Sequence, residues 1–179
     1  MIVAMSLHAF LDESRRGSTY LVAVVTMRSR NLDRARSALR AKVKPGQRRL
    51  HFKKENTTRQ GEIVTLMHGL DMRARLWLCD HSNDVIARRV CLTAIAAHLL
   101  ESGVTRLALE SCQHQDSRDR TTLAAVVGKA DEFSYEHFRP QEDPLLWLSD
   151  SVAWCYGVGG EWRRRVLGLI DGVHRLEVP

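Results

Sequence analysis

Three acidic residues occupy positions where a carboxylate could do chemistry. Asp12 directly follows an apolar stretch with a strand pattern, and Glu110 directly follows another. Side chains at the ends of strands leave the core and face a ligand cleft. Asp150 lies within an apolar helical segment, on the helix face that also carries Trp147 and Trp154. An unpaired carboxylate on an apolar face is costly to desolvate, so this pattern predicts a bound cation.

Hard divalent cations such as Mg²⁺ and Mn²⁺ fit such a site, because they prefer carboxylate oxygens and leave positions open for water and phosphate. Each acid also has a structural interpretation. Asp12 could cap a hairpin turn, and Glu110 could pair with any of the arginines. Asp150 could pair with Arg139 or Arg163. Three acids at two strand ends and in a late helix nevertheless favour one metal site over three separate coincidences.

Apolar segments with strand and helix patterns alternate along the chain. Strands are predicted over residues 3–11, 20–27, 50–53, 72–79, 105–111 and 133–138. Helices are predicted over residues 32–43, 58–69, 84–100, 117–129, 144–156 and 161–173. In the short strand 50–53, His51 and Lys53 share one face. A hairpin followed by strands separated by helices indicates an α/β fold with a mixed sheet flanked by helices.

Length and composition indicate a single domain over residues 1–179. The chain has 179 residues, of which 44% are apolar and 27% charged, and this balance excludes a disordered or low-complexity protein. Its longest apolar runs are shorter than the roughly 18–20 residues of a membrane span, so no membrane association is expected. Without a recognisable signal sequence, a cytoplasmic location is expected.

Arginine carries the positive charge, with 22 arginines against 5 lysines and a formal net charge of +6. The planar guanidinium donates two parallel hydrogen bonds to phosphate, so nucleic acid, either DNA or RNA, is the expected partner. Trp147, Trp154 and Trp162 fit either core packing or a subunit interface, such as that of a homodimer.

Three segments carry a resemblance to a known family. They are Phe10-Leu-Asp-Glu-Ser14, Leu107-Ala-Leu-Glu-Ser111 and Leu148-Ser-Asp-Ser-Val-Ala153. In the order and spacing of these segments, nearly the whole chain resembles the bacterial domain-of-unknown-function 3800 family, which is regarded as RNase H-like and of the RuvC type. The resemblance implies an RNase H-like mixed sheet, with N-terminal hairpin strands followed by parallel strands.

The resemblance also implies roles for the acids. Asp12, Glu110 and Asp150 match the three positions that hold divalent metal in RNase H-like folds, where one metal activates water and another stabilises the leaving oxygen of a phosphodiester. Glu13 is expected on the opposite face of its strand and is kept as an auxiliary ligand. Asp119 fits the first turn of a helix and is kept as a secondary candidate.

One segment departs from the family. Many members carry Glu-x-Lys after the first helix, and the matching stretch here is His51-Phe52-Lys53. Lys53 would neutralise charge on the scissile phosphate, and His51 would act as a general acid or a metal ligand. Alternatively, both are solvent-facing residues on an edge strand, where lysine discourages aggregation.

The sequence therefore predicts a Mg²⁺- or Mn²⁺-dependent nuclease. Asp12, Glu110 and Asp150 would hold the metal, and His51 and Lys53 would assist. An alternative is an RNase H-like scaffold without catalysis that binds nucleic acid or a protein. A further alternative is an enzyme that acts on a small phosphorylated substrate in the same cleft.

Overall fold

The computed structural model describes residues 6–130 and 132–179. Within this part of the chain, six strands form one sheet in the order β5-β4-β1-β2-β3-β6. The strands are β1 (Leu7–Arg16), β2 (Thr19–Arg28), β3 (Met72–Asp80), β4 (Val104–Glu110), β5 (Ser134–Phe138) and β6 (Ile170–Leu176). Strands β1, β2 and β3 pair in antiparallel fashion, whereas the β1–β4, β4–β5 and β3–β6 pairs are parallel.

In the described part of the chain, six α-helices connect and cover the strands. They are α1 (Leu32–Arg40), α2 (Thr57–Gly69), α3 (Asp84–Glu101), α4 (Gln113–Val127), α5 (Leu146–Val158) and α6 (Gly160–Val166). Short 3₁₀ turns occupy Ser29–Asn31, Phe52–Lys54 and Leu167–Leu169. Asn56 and Asn83 cap α2 and α3, since their side-chain oxygens accept hydrogen bonds from the first backbone amides of those helices.

The hairpin of β1 and β2 divides the apolar residues between two faces of the sheet. Gly17 and Ser18 form its two-residue turn, and Gly17 has a φ of 57°, a value that glycine adopts without strain. Because successive side chains alternate along a strand, Phe10 packs with the core on one face, whereas Ala9 and Leu11 pack with the core on the other.

Helices cover both faces. The core beneath α1, α2, α5 and α6 contains Phe10, and the core beneath α3 and α4 contains Leu11. Helix α5 is buried on most of its circumference, which explains its nearly continuous apolar sequence. The hydroxyl of Ser149 in α5 donates a hydrogen bond of 2.6 Å to the carbonyl of Phe10, which fixes this helix on β1.

Three sequence predictions on secondary structure are corrected. Strand β1 continues through Asp12 to Arg16, so Asp12 lies within the strand and not at its end; residues 3–5 of the predicted strand lie outside the described residues. Segment 50–53 is not a strand, because the chain turns there into the 3₁₀ turn Phe52–Lys54. The predicted helix 161–173 is a short helix, α6, followed by a 3₁₀ turn and the edge strand β6.

Other predicted elements are confirmed within a few residues at their ends, including the hairpin, the strands over 72–79 and 105–111, and the helices over 58–69 and 84–100. Among the described residues, no helix is both long and apolar enough to cross a membrane.

Candidate active site

Asp12 and Glu110 project from neighbouring strands on the same face of the sheet. Strands β1 and β4 are parallel, and Leu11 pairs with Leu109 at the last paired position before these acids. Leu11 and Leu109 both enter the core beneath α3 and α4. By alternation, Asp12 and Glu110 therefore face the side that α5 covers.

Asp150 approaches the same place from α5. The preceding residue, Ser149, is hydrogen-bonded to the backbone of β1 two residues before Asp12. The Oδ2 atom of Asp150 accepts a hydrogen bond of 3.2 Å from the backbone amide of Phe52, and it lies 3.8 Å from Nδ1 of His51. Neither Arg139 nor Arg163 pairs with Asp150: Arg139 pairs with Glu142, and Nε of Arg163 donates to a backbone carbonyl.

Aromatic packing fixes the turn that carries His51. The ring of Phe52 is fully buried, with centroid distances of 5.2 Å to Trp154 and 6.0 Å to Trp162. The side-chain amide of Gln60 donates a hydrogen bond to the carbonyl of Phe52. These contacts hold His51 beside Asp150, and they give Trp154 and Trp162 a packing role within the chain.

The carboxylate of Asp12 is buried, and little compensates its negative charge. This residue is only 8% exposed, and within residues 6–130 and 132–179 its carboxylate accepts one hydrogen bond, from the backbone amide of Glu13. Burial raises the pKa of Asp12 well above its ordinary value, and the nearby Glu110 and Glu13 raise it further. Burial likewise raises the pKa of Asp150, against the lowering effects of the Phe52 amide and His51.

Glu110 also has a raised pKa, and an arginine opposes the shift. Burial raises the pKa of Glu110 to about 7, while Arg49 lowers it and Asp150 raises it. The Nη1 atom of Arg49 lies 3.6 Å from Oε1 of Glu110. Asp12, Glu110 and Asp150 are thus close enough for Glu110 and Asp150 to raise the pKa of Asp12 and for Asp150 to raise that of Glu110, although they are not among the described side chains whose ligand atoms all lie within 4.8 Å of one another.

This raised pKa predicts a pH-dependent stability in the cation-free protein. The pKa of Glu110 rises from an ordinary value of 4.5 to about 7 in the folded state, so its ionisation is less favourable in the folded protein than in the unfolded one. The protonated side chain therefore contributes to the free energy of unfolding below pH 4.5, and this contribution is lost as the pH rises to 7. We expect the free energy of unfolding, measured with urea in EDTA, to fall by about 1–2 kcal/mol more in the wild type than in Glu110→Gln over this range. Equal slopes for the two proteins would contradict the shift.

His51 and Lys53 do not share a strand face as predicted. His51 faces Asp150, and its Nδ1 atom is buried without a hydrogen-bond partner among the described residues. Burial lowers the pKa of His51, and Asp150 opposes this effect. Lys53 lies in the 3₁₀ turn with its side chain exposed. The site therefore includes His51, while Lys53 lies at its margin.

Glu13 and Asp119 belong to a separate network behind the sheet. The pairing of β1 is regular, so Glu13 faces the α3 side as predicted, and its Oε2 atom lies 2.7 Å from Nη1 of Arg88. Asp119 does not lie in the first turn of its helix, because α4 begins at Gln113. Both carboxylate oxygens of Asp119 accept hydrogen bonds of 2.8 Å from Arg88.

A second cluster extends this network. Asp116, Asp119 and His137 form the one group of three ligand-bearing side chains, among residues 6–130 and 132–179, whose atoms all lie within 4.8 Å of one another. Arg88 pairs with Asp119, and Nε2 of His137 lies 2.9 Å from the same carboxylate. Asp116 accepts hydrogen bonds from Ser111 and from the backbone amide of residue 112. Through these bonds Asp116 joins the residues that follow β4 to the first turns of α4.

Sequence reasoning missed two residues that these sites depend on. Arg49 contacts Glu110 from a loop with no periodic pattern, and no local signal distinguishes it from the neighbouring Arg48. Arg88 is 2% exposed within α3. Its position on the apolar face of a helix, among Ala87, Cys91 and Leu92, is the signal that could have identified it as a buried ion-pair partner.

Structural comparison identifies the class of fold. The chain matches a chain of the PCNA:RNase HII complex from Archaeoglobus fulgidus with a TM-score of 0.56 and 16% identity, over 91% of this chain and 76% of that chain. It matches ribonuclease H2 from Pyrococcus horikoshii with a TM-score of 0.50 and 13% identity, over 83% of this chain and 70% of that chain. The protein therefore has an RNase H-like fold, as the sequence predicted.

A scan against protein-family models and a search of curated protein sequences find no match. The fold is thus established by structure, and membership of the domain-of-unknown-function 3800 family remains a prediction from the three sequence segments.

Proposed function

We propose that this protein is a divalent-metal-dependent nuclease that hydrolyses phosphodiester bonds of DNA or RNA. The observation that carries the proposal is the buried carboxylate of Asp12, which accepts one hydrogen bond among the described residues, from a backbone amide, and whose pKa is raised by Glu110 and Asp150 on an RNase H-like sheet. A buried anion next to further anions is unfavourable without a positive partner. The arrangement fits a bound cation better than it fits a structural role.

The donor set fits Mg²⁺ or Mn²⁺. All three side chains offer carboxylate oxygens, which these hard ions prefer, and neither cysteine nor paired histidine is present to favour zinc. Asp12, Glu110 and Asp150 would hold the ion. When bound, the ion would supply charge neutralisation at the phosphate and a lowered pKa for water.

His51 is the side chain proposed to move a proton. Burial lowers its pKa and so favours the neutral ring, and its Nδ1 atom lies 3.8 Å from the carboxylate of Asp150. Lys53, exposed at the margin, would attract the phosphate backbone by its charge. The many arginines on the surface would add to that attraction.

Replacement of His51 tests its role. We expect His51→Gln to lower the rate of cleavage by about 10²-fold, because a general acid or base contributes this much, while Mn²⁺ affinity changes little. Rates at saturating substrate and Mn²⁺ titrations, both compared with His68→Gln on the exposed face of α2, measure the two quantities. Loss of Mn²⁺ affinity together with activity would instead make His51 a metal ligand.

The proposed activity is tested directly by cleavage assays. Single-stranded DNA, single-stranded RNA, both duplexes and an RNA–DNA hybrid are incubated with the protein in Mg²⁺, in Mn²⁺ and in EDTA. We expect cleavage of at least one substrate that stops in EDTA. Binding of nucleic acid that is indifferent to metal, with no cleavage of any substrate, would support the non-catalytic scaffold instead.

A further inference from the structure

Arg49 contacts Glu110, one of the three acids of the candidate site. The Nη1 atom of its guanidinium lies 3.6 Å from Oε1 of Glu110, which is within ion-pair distance. Its charge also lowers the pKa of Asp150. The side chain is 35% exposed and therefore reaches from solvent into the site. In the cation-free protein, Arg49 thus supplies part of the positive charge that the acids need.

The loop that carries Arg49 has no regular secondary structure. Residues 41–51, between α1 and the 3₁₀ turn, form no helix or strand, and the turn near Gly46 has a φ of 83°. Leu50, which directly follows Arg49, is buried and anchors the end of this loop in the core. Arg49 therefore emerges at a fixed point, while its contact with Glu110 is a single long ion pair that costs little to break.

We propose that Arg49 is a phosphate-binding residue that exchanges partners: Glu110 holds it until a divalent cation binds the acids, and the substrate phosphate then receives it. A guanidinium and a divalent cation repel each other at one carboxylate, so binding of the cation disfavours the pair with Glu110. The planar fork of the released side chain matches phosphate oxygens. This inference rests on the proposed metal site and assigns its substrate contact.

The exchange makes cation binding and phosphate binding cooperative. The cation displaces Arg49 from Glu110, and the phosphate binds the displaced side chain. Each ligand therefore lowers the free energy required to bind the other. If Arg49 and Glu110 instead form a permanent structural pair, the coupling between cation and phosphate does not depend on Arg49. The coupling factor, and not either affinity alone, therefore distinguishes the two roles.

The test uses a deoxynucleoside 3′,5′-bisphosphate, which contains no phosphodiester bond for a nuclease to consume. Calorimetry gives the affinity for Mn²⁺ with and without this probe in the wild type, in Arg49→Gln and in Arg48→Gln. The neighbouring Arg48 is exposed, so its replacement removes the same charge from the same loop. A further variant, Arg49→Lys, retains the positive charge but lacks the planar guanidinium that donates two parallel hydrogen bonds.

We expect Arg49→Gln to bind Mn²⁺ about 5-fold more tightly without the probe, which corresponds to one ion pair of about 1 kcal/mol. We expect its coupling factor to fall by a similar amount, with little change in Arg48→Gln. Coupling that is the same in Arg49→Gln and Arg48→Gln would overturn the exchange and leave the metal site standing. A wild type that binds no Mn²⁺ would overturn both the metal site and the exchange.

Discussion

The Asp12→Asn protein is expected to lose at least about 10³-fold in cleavage rate while it remains folded. A metal ion at a phosphodiester contributes several kcal/mol to stabilisation of the transition state, and each 1.4 kcal/mol corresponds to a factor of ten. Asparagine keeps the shape of the side chain and an oxygen for the backbone amide of Glu13, but it removes the charge that holds the cation. Initial rates in Mg²⁺ and in Mn²⁺ measure the loss.

Folding is not expected to limit this experiment. The raised pKa of Asp12 means that its ionised form destabilises the cation-free fold, so the neutral amide should be at least as stable at pH 7. Asp33→Asn, on the exposed face of α1, is the matched control and should retain full activity. A folded Asp12→Asn protein that cleaves at the wild-type rate would contradict the assignment of Asp12.

Replacement of Arg88 is expected to have the largest effect on stability. Arg88 is 2% exposed and pairs with the buried Asp119 and with Glu13 on the α3 side of the sheet. Arg88→Met keeps the volume of the side chain but leaves a buried carboxylate without its partner, which costs about 3–5 kcal/mol. Urea unfolding at pH 7 measures the change in free energy.

A double replacement separates loss of the pair from loss of packing. Arg88→Met with Asp119→Asn removes the unpaired charge as well, so this protein should regain at least about 1 kcal/mol over Arg88→Met alone. Arg106→Met breaks an exposed pair with Glu136 and should cost under about 1 kcal/mol. The single variant Asp119→Asn completes the comparison. If the changes in unfolding free energy of Arg88→Met and Asp119→Asn add up to that of the double variant, Arg88 and Asp119 do not depend on each other.

The sequence predicted most of what positions the acids. Alternation in β1 predicted which residues of this strand share a face, and the pattern of apolar residues predicted that Asp150 lies on a packed helix. The structure places Asp150 on α5 against β1, as expected for an RNase H-like sheet. Glu110 ends its strand as predicted, and Glu13 turns to the other face.

The missed features depend on contacts that no local pattern encodes. His51 lies in a turn because Phe52 packs on Trp154 and Trp162, which come about a hundred positions later in the chain. Strand β6 escaped detection because its apolar residues continue a helical spacing from α6, and its pairing with β3 decides its conformation. Arg49 contacts Glu110 across the fold, so only the tertiary structure could reveal it.

Asp12, Glu110 and Asp150 are proposed to form one divalent-metal site. Calorimetry with Mn²⁺ on the wild type and on Asp150→Asn tests this proposal most directly, with circular dichroism to confirm that both proteins are folded. We expect the wild type to bind Mn²⁺ and Asp150→Asn to lose this binding. A folded wild type that binds no Mn²⁺, or an Asp150→Asn protein that binds it equally well, would contradict the claim.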